Sequence, residues 1–306
     1  MRTRLPAGRP SPRRGVMVLG MHRSGTSAVT AAVSRLGLVP PRRQDALRGP
    51  WNPKGHYESN LLDTLDDQLL EEMDRTWWYP PPSGAAYWET AGKIRTSPRR
   101  GRKVFEEAYP TGHWVWKDPR ACLLVPFWRQ ALGDDVAAIV VVRHPLDVAA
   151  SLTNRNETST AFGLALWERY NRVLLGHLRD MAVWVTHFDE LVADPRQWSE
   201  QAAAFLRGVG LPSAQQADSE QLASPVDPQL RHSVHSPADL AMARPATLDL
   251  YDVLAGTSGQ WPGFQPPELG EEGPEVQAEL DRLGPRTPPA WRPPPWVPEP
   301  AWSRES

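Results

Sequence analysis

The 306-residue sequence predicts a three-layer α/β fold, a central parallel sheet flanked by helices. Three observations predict it. Short apolar runs alternate with longer segments of helical period through the middle of the chain. One run, AAIVVV at 137–142, is apolar at every position, as in a strand covered on both faces. A glycine-rich stretch, GMHRSGTS at 20–27, joins the first apolar run to the first helical segment.

The elements follow in order. GVMVLG (15–20) reads as a buried strand and SAVTAAVSRLGL (27–38) as a helix. HWVWK (113–117) is a strand, and a helix runs on through CLLVPFWRQAL. After the strand ending at Val142, PLDVAASLTNR is a helix, with Pro145 well placed in its first turn. VWVTHF (183–188) is a further strand, and RQWSEQAAAFLRGVG a helix that stops at glycine. Residues 1–14 are Arg- and Pro-rich, as disordered basic tails are. Residues 15–255 are expected to form the folded domain and 256–306 a Pro/Trp-rich tail, with eight prolines between Pro285 and Pro300.

Composition narrows the classes. Hydrophobic and charged fractions of 40% and 23% are globular values. A net charge of −2 supplies no global field for nucleic acid or a membrane surface, so an anion site must be local. Only four basic residues are Lys, and the excess of Arg with abundant Ala and Pro suggests a GC-rich bacterial genome. A single cysteine, Cys122, rules out a disulfide framework within one chain. No signal peptide or membrane span is read, and the cytoplasm is the expected location.

The stretch at 20–27 has the outline of a phosphate loop: Gly20, four residues, Gly25, then Thr26 and Ser27. A strand–loop–helix unit of this P-loop type aims backbone N–H groups and a helix start at one spot. Ser24, Thr26 and Ser27 offer hydroxyls, and Arg23 a fixed charge with a planar fork. Thr26 stands where nucleotide triphosphatases carry Lys. The strand ending at Val142 is followed by Arg143, where magnesium-dependent enzymes usually carry Asp. A donor whose reacting group bears one negative charge, such as a sulfuryl group, needs less help from a metal than a γ-phosphate does.

GMHRSGTS, with the later IVVVRHPLDVAAS (139–151), resembles the two nucleotide signatures of sulfotransferases that use PAPS (3′-phosphoadenosine 5′-phosphosulfate). The first is similar to their loop for the 5′-phosphosulfate. The second is similar to their 3′-phosphate element, with Arg143, Pro145 and Ser151 at the matching positions. WKDPR (116–120), NPKGHYES (52–59) and THFDELVADP (186–195) also resemble bacterial members, with Phe188 in place of the usual Tyr. The likeness runs from about Val16 to Pro195, and more faintly through DPQLRHS (227–233). Two elements of cytosolic members are missing, a K-x-H segment and a C-terminal R-K-G element.

The resemblance implies in-line transfer of a sulfuryl group to a hydroxyl or amine, with PAPS as co-substrate and no metal required. His22, Arg23, Ser24, Gly25, Thr26 and Ser27 would cradle the 5′-phosphosulfate, with Arg23 stabilising the leaving oxygen. Arg143 and Ser151 would hold the 3′-phosphate. Lys117 would neutralise charge on the sulfuryl group or leaving oxygen, while Asp118 and Arg120 pair and shape the site. For the general base the resemblance points to Glu58; His56 is the rival on intrinsic pKa, and His22 a third candidate. Arg231 is a further expected nucleotide contact. TWWYPPPSG (76–84) reads as core or gate packing beside the site, with stacking on a sugar ring or an aromatic acceptor as the alternative. The acceptor, a small molecule or a glycan in the first instance, stays open among glycan, glycolipid, peptide tyrosine and secondary-metabolite hydroxyls. Two other readings stand beside this one: a nucleotide-binding module without chemistry, and a P-loop kinase.

Overall fold

In the computed structural model, the described residues are 14–42, 44–46, 57–84, 87, 94–211 and 236–290. Strand β1 (Gly15–Leu19) leads through the glycine loop into α1 (Thr26–Arg35). Next come α2 (Asn60–Glu71), α3 (Pro98–Ala108), β2 (Trp114–Lys117), α4 (Ala121–Leu132) and β3 (Ala137–Val142). After β3 follow α5 (Pro145–Asn156), α6 (Thr160–His177), β4 (Val183–His187), α7 (Phe188–Ala193) and α8 (Pro195–Gly208). Beyond a helical turn at Pro237–Leu240, α9 (Pro245–Gly256), β5 (Gly259–Trp261) and α10 (Pro274–Asp281) complete the described elements.

The strands lie in the order β2-β1-β3-β4-β5. The pairs β1–β2, β1–β3 and β3–β4 are parallel, as the alternation of strands and helices predicts. The edge strand β5 runs antiparallel to β4, so the sheet is mixed rather than wholly parallel. Its sequence, Gly-Gln-Trp, carries no apolar run that would mark a strand.

Both sheet faces are apolar and covered. In β1, Val16 and Val18 face a layer with Val29 and Val33 of α1 and Trp198 and Leu206 of α8. Met17 and Leu19 face the opposite layer, with Leu123 of α4 and Leu166 of α6. In β3, Ile139 and Val141 join the first layer and Val140 and Val142 the second. This two-residue alternation, with apolar partners on each side, explains the unbroken apolar run. Beyond residue 255, where the sequence suggests a Pro/Trp-rich tail, Phe264, Val276 and Leu280 are buried in the second layer. The proline-dense segment from 291 onward lies outside the described residues, as do residues 1–13.

The register positions the site. Val18 pairs with Lys117 on one side and with Ile139 on the other, and Val142 pairs with His187. The carboxyl ends of four adjacent parallel strands therefore bring together Lys117, the 20–26 loop, Arg143 and Phe188. In open α/β sheets this end of the strands is where ligands bind.

Candidate active site

The loop after β1 is shaped by its glycines and by Arg23. A Cβ on Gly20 would stand 2.7 Å from the Val141 carbonyl oxygen. Gly25 has φ +89°, and a Cβ there would fall 2.1 Å from the Phe188 ring. Arg23 itself takes a left-handed backbone, φ 71°, a conformation that costs a non-glycine residue energy and is kept where the surroundings demand it. The Gly20 N–H donates to Cys122 Sγ at 3.0 Å and the Ser24 N–H to the Met21 carbonyl at 3.1 Å, closing the turn. Gly25 stands at the N-cap of α1 with no side-chain cap, and no acidic residue sits in the first turn. A helix start of this kind favours an anion.

Arg23, Arg143 and Ser151 are brought together as the motifs suggest. Arg23 Nε donates to Ser151 Oγ at 2.8 Å, and an Arg143 terminal nitrogen donates to the Arg23 carbonyl oxygen at 3.2 Å. The Arg143 guanidinium lies 5.1 Å from the Phe188 ring centroid and 3.7 Å from Asp147. Trp167 Nε1 donates to the Arg143 carbonyl at 3.1 Å and fixes the strand end from below. Phe188, where relatives in the resemblance carry Tyr, thus supports both the Gly25 turn and the Arg143 charge. Burial brings the Arg23 guanidinium down to about 10, and the charges of Arg155 and Arg143 push the same way. Crowded cations whose charge is disfavoured in this way are what an anion relieves.

Glu58 and Lys117 meet across the site in a buried ion pair. Glu58 precedes the N-cap of α2, where the cap itself is Ser59, accepting from the Leu62 N–H. Behind this pair, Arg120 binds Asp63 and Asp67, and Asp118 at 3.4 Å. The expected Asp118–Arg120 pair is present, extended by carboxylates from α2. Burial, then the neighbouring Asp118 charge, pushes Asp63 up to about 7. Burial also raises Asp118, and it raises Asp66, whose Oδ1 accepts from Trp128 Nε1 at 2.8 Å.

His22 is buried between Trp77, at 4.8 Å between ring centroids, and Tyr170, at 5.9 Å. Burial holds its imidazole well below the usual range, with Arg155, Arg120, Lys117 and Arg23 adding to the effect. It is packed as a neutral ring, which suits a wall of the site better than a proton acceptor. Of the TWWYPPPSG stretch, Trp77 faces the site, while Trp78 Nε1 donates to the Gly284 carbonyl at 3.0 Å. His56 and Arg231 lie outside the described residues.

Two neighbours of the site escape sequence reasoning. Trp77 belongs to a segment whose sequence leaves both packing and ring stacking on an acceptor open, without singling out this residue. Arg155 follows Ser151 by four residues on α5, and its guanidinium lies 5.7 Å from the Trp77 centroid. The i, i+4 spacing from Ser151 is the signal that locates it.

No protein-family model and no curated protein matches the chain. Among solved structures, the sulfotransferase domain of the Synechococcus PCC 7002 olefin synthase is similar at 17% identity and a TM-score of 0.43, over 92% of this chain and 98% of that one. The sulfotransferase domain of the curacin biosynthetic pathway is similar at 18% identity and a TM-score of 0.42, over 91% and 100%. A sulfotransferase from Mycobacterium tuberculosis H37Rv is similar at 13% identity and a TM-score of 0.39, over 80% and 77%. No helix among the described residues is long and apolar enough to cross a membrane.

Proposed function

We propose that this chain is a PAPS-dependent sulfotransferase that acts on a hydroxyl or amine acceptor. The observation that carries the reading is the cation arrangement on the glycine loop. Arg23 is hydrogen-bonded to Ser151 and carries Arg143 on its own carbonyl, so two guanidiniums converge on one uncapped helix start. The distance between the two motifs, more than a hundred residues in sequence, makes their meeting a non-trivial support for that reading.

In this reading the residues divide the work. The backbone and side chains of 22–27 hold the 5′-phosphosulfate, and Arg143 with Ser151 holds the 3′-phosphate. Arg23 and Lys117 supply positive charge where the bridging oxygen becomes a leaving phosphate oxygen. The acceptor oxygen forms the new S–O bond as the old one breaks. Glu58 takes the acceptor's proton. Its pairing with Lys117 gives that ammonium two stations, the carboxylate and the transferring group, on opposite sides of the reaction. Phe188 and Trp167 keep Arg143 at its post. The cationic end of β3 suits a donor with little need of a metal. The setting that fits is the bacterial cytoplasm, where PAPS is made.

Calorimetric titration with PAP (adenosine 3′,5′-bisphosphate), without magnesium and beside ATP, tests the reading. PAP should bind more tightly than ATP, and Arg143→Ala should weaken it about tenfold or more, the value of a lost charged hydrogen bond. Failure of PAP to bind while magnesium-ATP does would overturn the reading in favour of a kinase-type loop.

A further inference from the structure

The cations around the site differ in what neutralises them. Arg120 is held by Asp63, Asp67 and Asp118. Arg143 has Asp147 and the Arg23 carbonyl. Lys117 has Glu58. Arg155 has no carboxylate within ion-pair distance among the described residues. Its Nε donates to Asn156 Oδ1 at 2.6 Å, and Asn156 Nδ2 in turn donates to the Ala290 carbonyl at 3.1 Å. Its two terminal nitrogens make no hydrogen bond among the described residues. The side chain is therefore anchored at its inner nitrogen and stacked on Trp77, with its outer edge left for something else.

The side of the site on which Arg155 stands can be read from its neighbours. Arg143 stacks on Phe188, at the β3–β4 end. Arg155 lies against Trp77, which itself packs on His22. Glu58, Arg120 and Tyr170 act electrostatically on Arg155, and it acts in turn on His22 and Arg23. Arg155 thus stands one helical turn beyond Ser151, on the Trp77 and His22 side of the loop. A partly buried guanidinium with no carboxylate within ion-pair distance among the described residues is costly, and burial lowers its affinity for its own proton, to about 10. That cost is relieved by a ligand oxyanion, which the planar edge of Arg can take with two hydrogen bonds.

We infer that Arg155 and Trp77 form an acceptor subsite that selects molecules carrying an oxyanion, a carboxylate or a phosphate, beside the group to be sulfated. The inference rests on the sulfotransferase reading for the word acceptor. Trp77 supplies an apolar face for the body of the molecule and holds the guanidinium plane in one orientation. Arg155 receives the oxyanion. The hydroxyl is then presented between Glu58 and Lys117. Neutral hydroxyl compounds lack the group that the subsite is built to pair.

The test uses the full chain saturated with PAP, titrated with benzoate, phenyl phosphate and neutral benzyl alcohol. At least one of the two anions should bind, and better than the alcohol; which one separates carboxylate from phosphate acceptors. Arg155→Gln should weaken that anion tenfold or more, and Arg155→Lys should recover part of the loss. PAP affinity of Arg155→Gln should stay within about twofold, which also shows that the variant is folded. Anions that bind no better than benzyl alcohol would overturn the proposal, as would anion binding untouched in Arg155→Gln. A parallel loss of PAP affinity would overturn it too, by assigning Arg155 to the nucleotide. Should the wild-type chain fail to bind PAP, the sulfotransferase reading falls, and the same anion series on the unloaded protein still decides whether the Arg155–Trp77 site exists.

Discussion

Arg23 combines three properties that no other residue of the site shares. Its backbone is left-handed, its Nε is fixed on Ser151, and its carbonyl holds Arg143. A lysine there would keep a charge but lose the planar fork that reaches Ser151 and, in the proposed reaction, would reach the leaving oxygen as well. Arg23→Ala should lower kcat about 100-fold or more with a smaller change in KM, as removal of a transition-state donor does. Arg23→Lys should recover only part of the rate, and steady-state kinetics on any acceptor found active would show the split. The meeting of Arg23, Arg143 and Ser151 was legible in the sequence, because loop and strand-end motifs fix residue type at fixed spacing. Lys117 and Glu58 were legible through the resemblance, but their pairing was not. The contacts of Trp77 with His22 and Arg155 were not legible, for a physical reason: positions 22, 77 and 155 share no local pattern and meet only through the fold.

At the scale of elements, the site is held by the junction of β1 with α1 and of β4 with α7. Phe188, the first residue of α7, fills the space that a side chain at Gly25 would need. Gly25→Ala therefore meets two penalties, a left-handed φ and a ring at 2.1 Å. It should lose roughly 1–3 kcal/mol of stability in chemical denaturation. Adding Phe188→Ala should not restore PAP binding, because Arg143 loses its ring in the same step. If the double variant binds PAP as the wild type does, Phe188 is only filler. The parallel core was read well from sequence because strands covered on both faces carry uninterrupted apolar runs. Strand β5 was not, since three residues with one glycine leave nothing periodic to detect. Helix α5 was found from Pro145 at its start, and its ligand-facing side follows from the four-residue steps Asp147, Ser151 and Arg155.

Across the whole molecule, two sets of buried titratable groups pull stability in opposite directions. Asp63, Asp66 and Asp118 crowd around Arg120 and are raised by burial, Asp63 to about 7. Such a carboxyl keeps its proton in the folded chain after the unfolded chain has lost it. Its contribution is complete below about pH 4 and is lost as pH rises through 7. His22 and His177 behave oppositely. Burial lowers both, His177 to about 4, so each favours folding above about pH 6.5 and loses that advantage as pH falls through its folded value. The two sets act against each other between about pH 4 and 7, and the wild-type stability curve carries their balance. Removing one member unbalances it. Asp63→Asn keeps an oxygen for Arg120 but cannot ionise, so its Tm relative to wild type should climb as pH rises from 4 to 8. A relative gain of about 3 °C or more across that range is expected, given the usual few degrees per kcal/mol for a chain of this size. His177→Gln should tilt the other way, gaining relative to wild type as pH falls below 6. Scanning calorimetry of the three proteins at pH 4, 6 and 8 decides the matter. Parallel curves for Asp63→Asn and wild type would mean that the Asp63 carboxyl is already ionised in the folded chain, held by Arg120 alone.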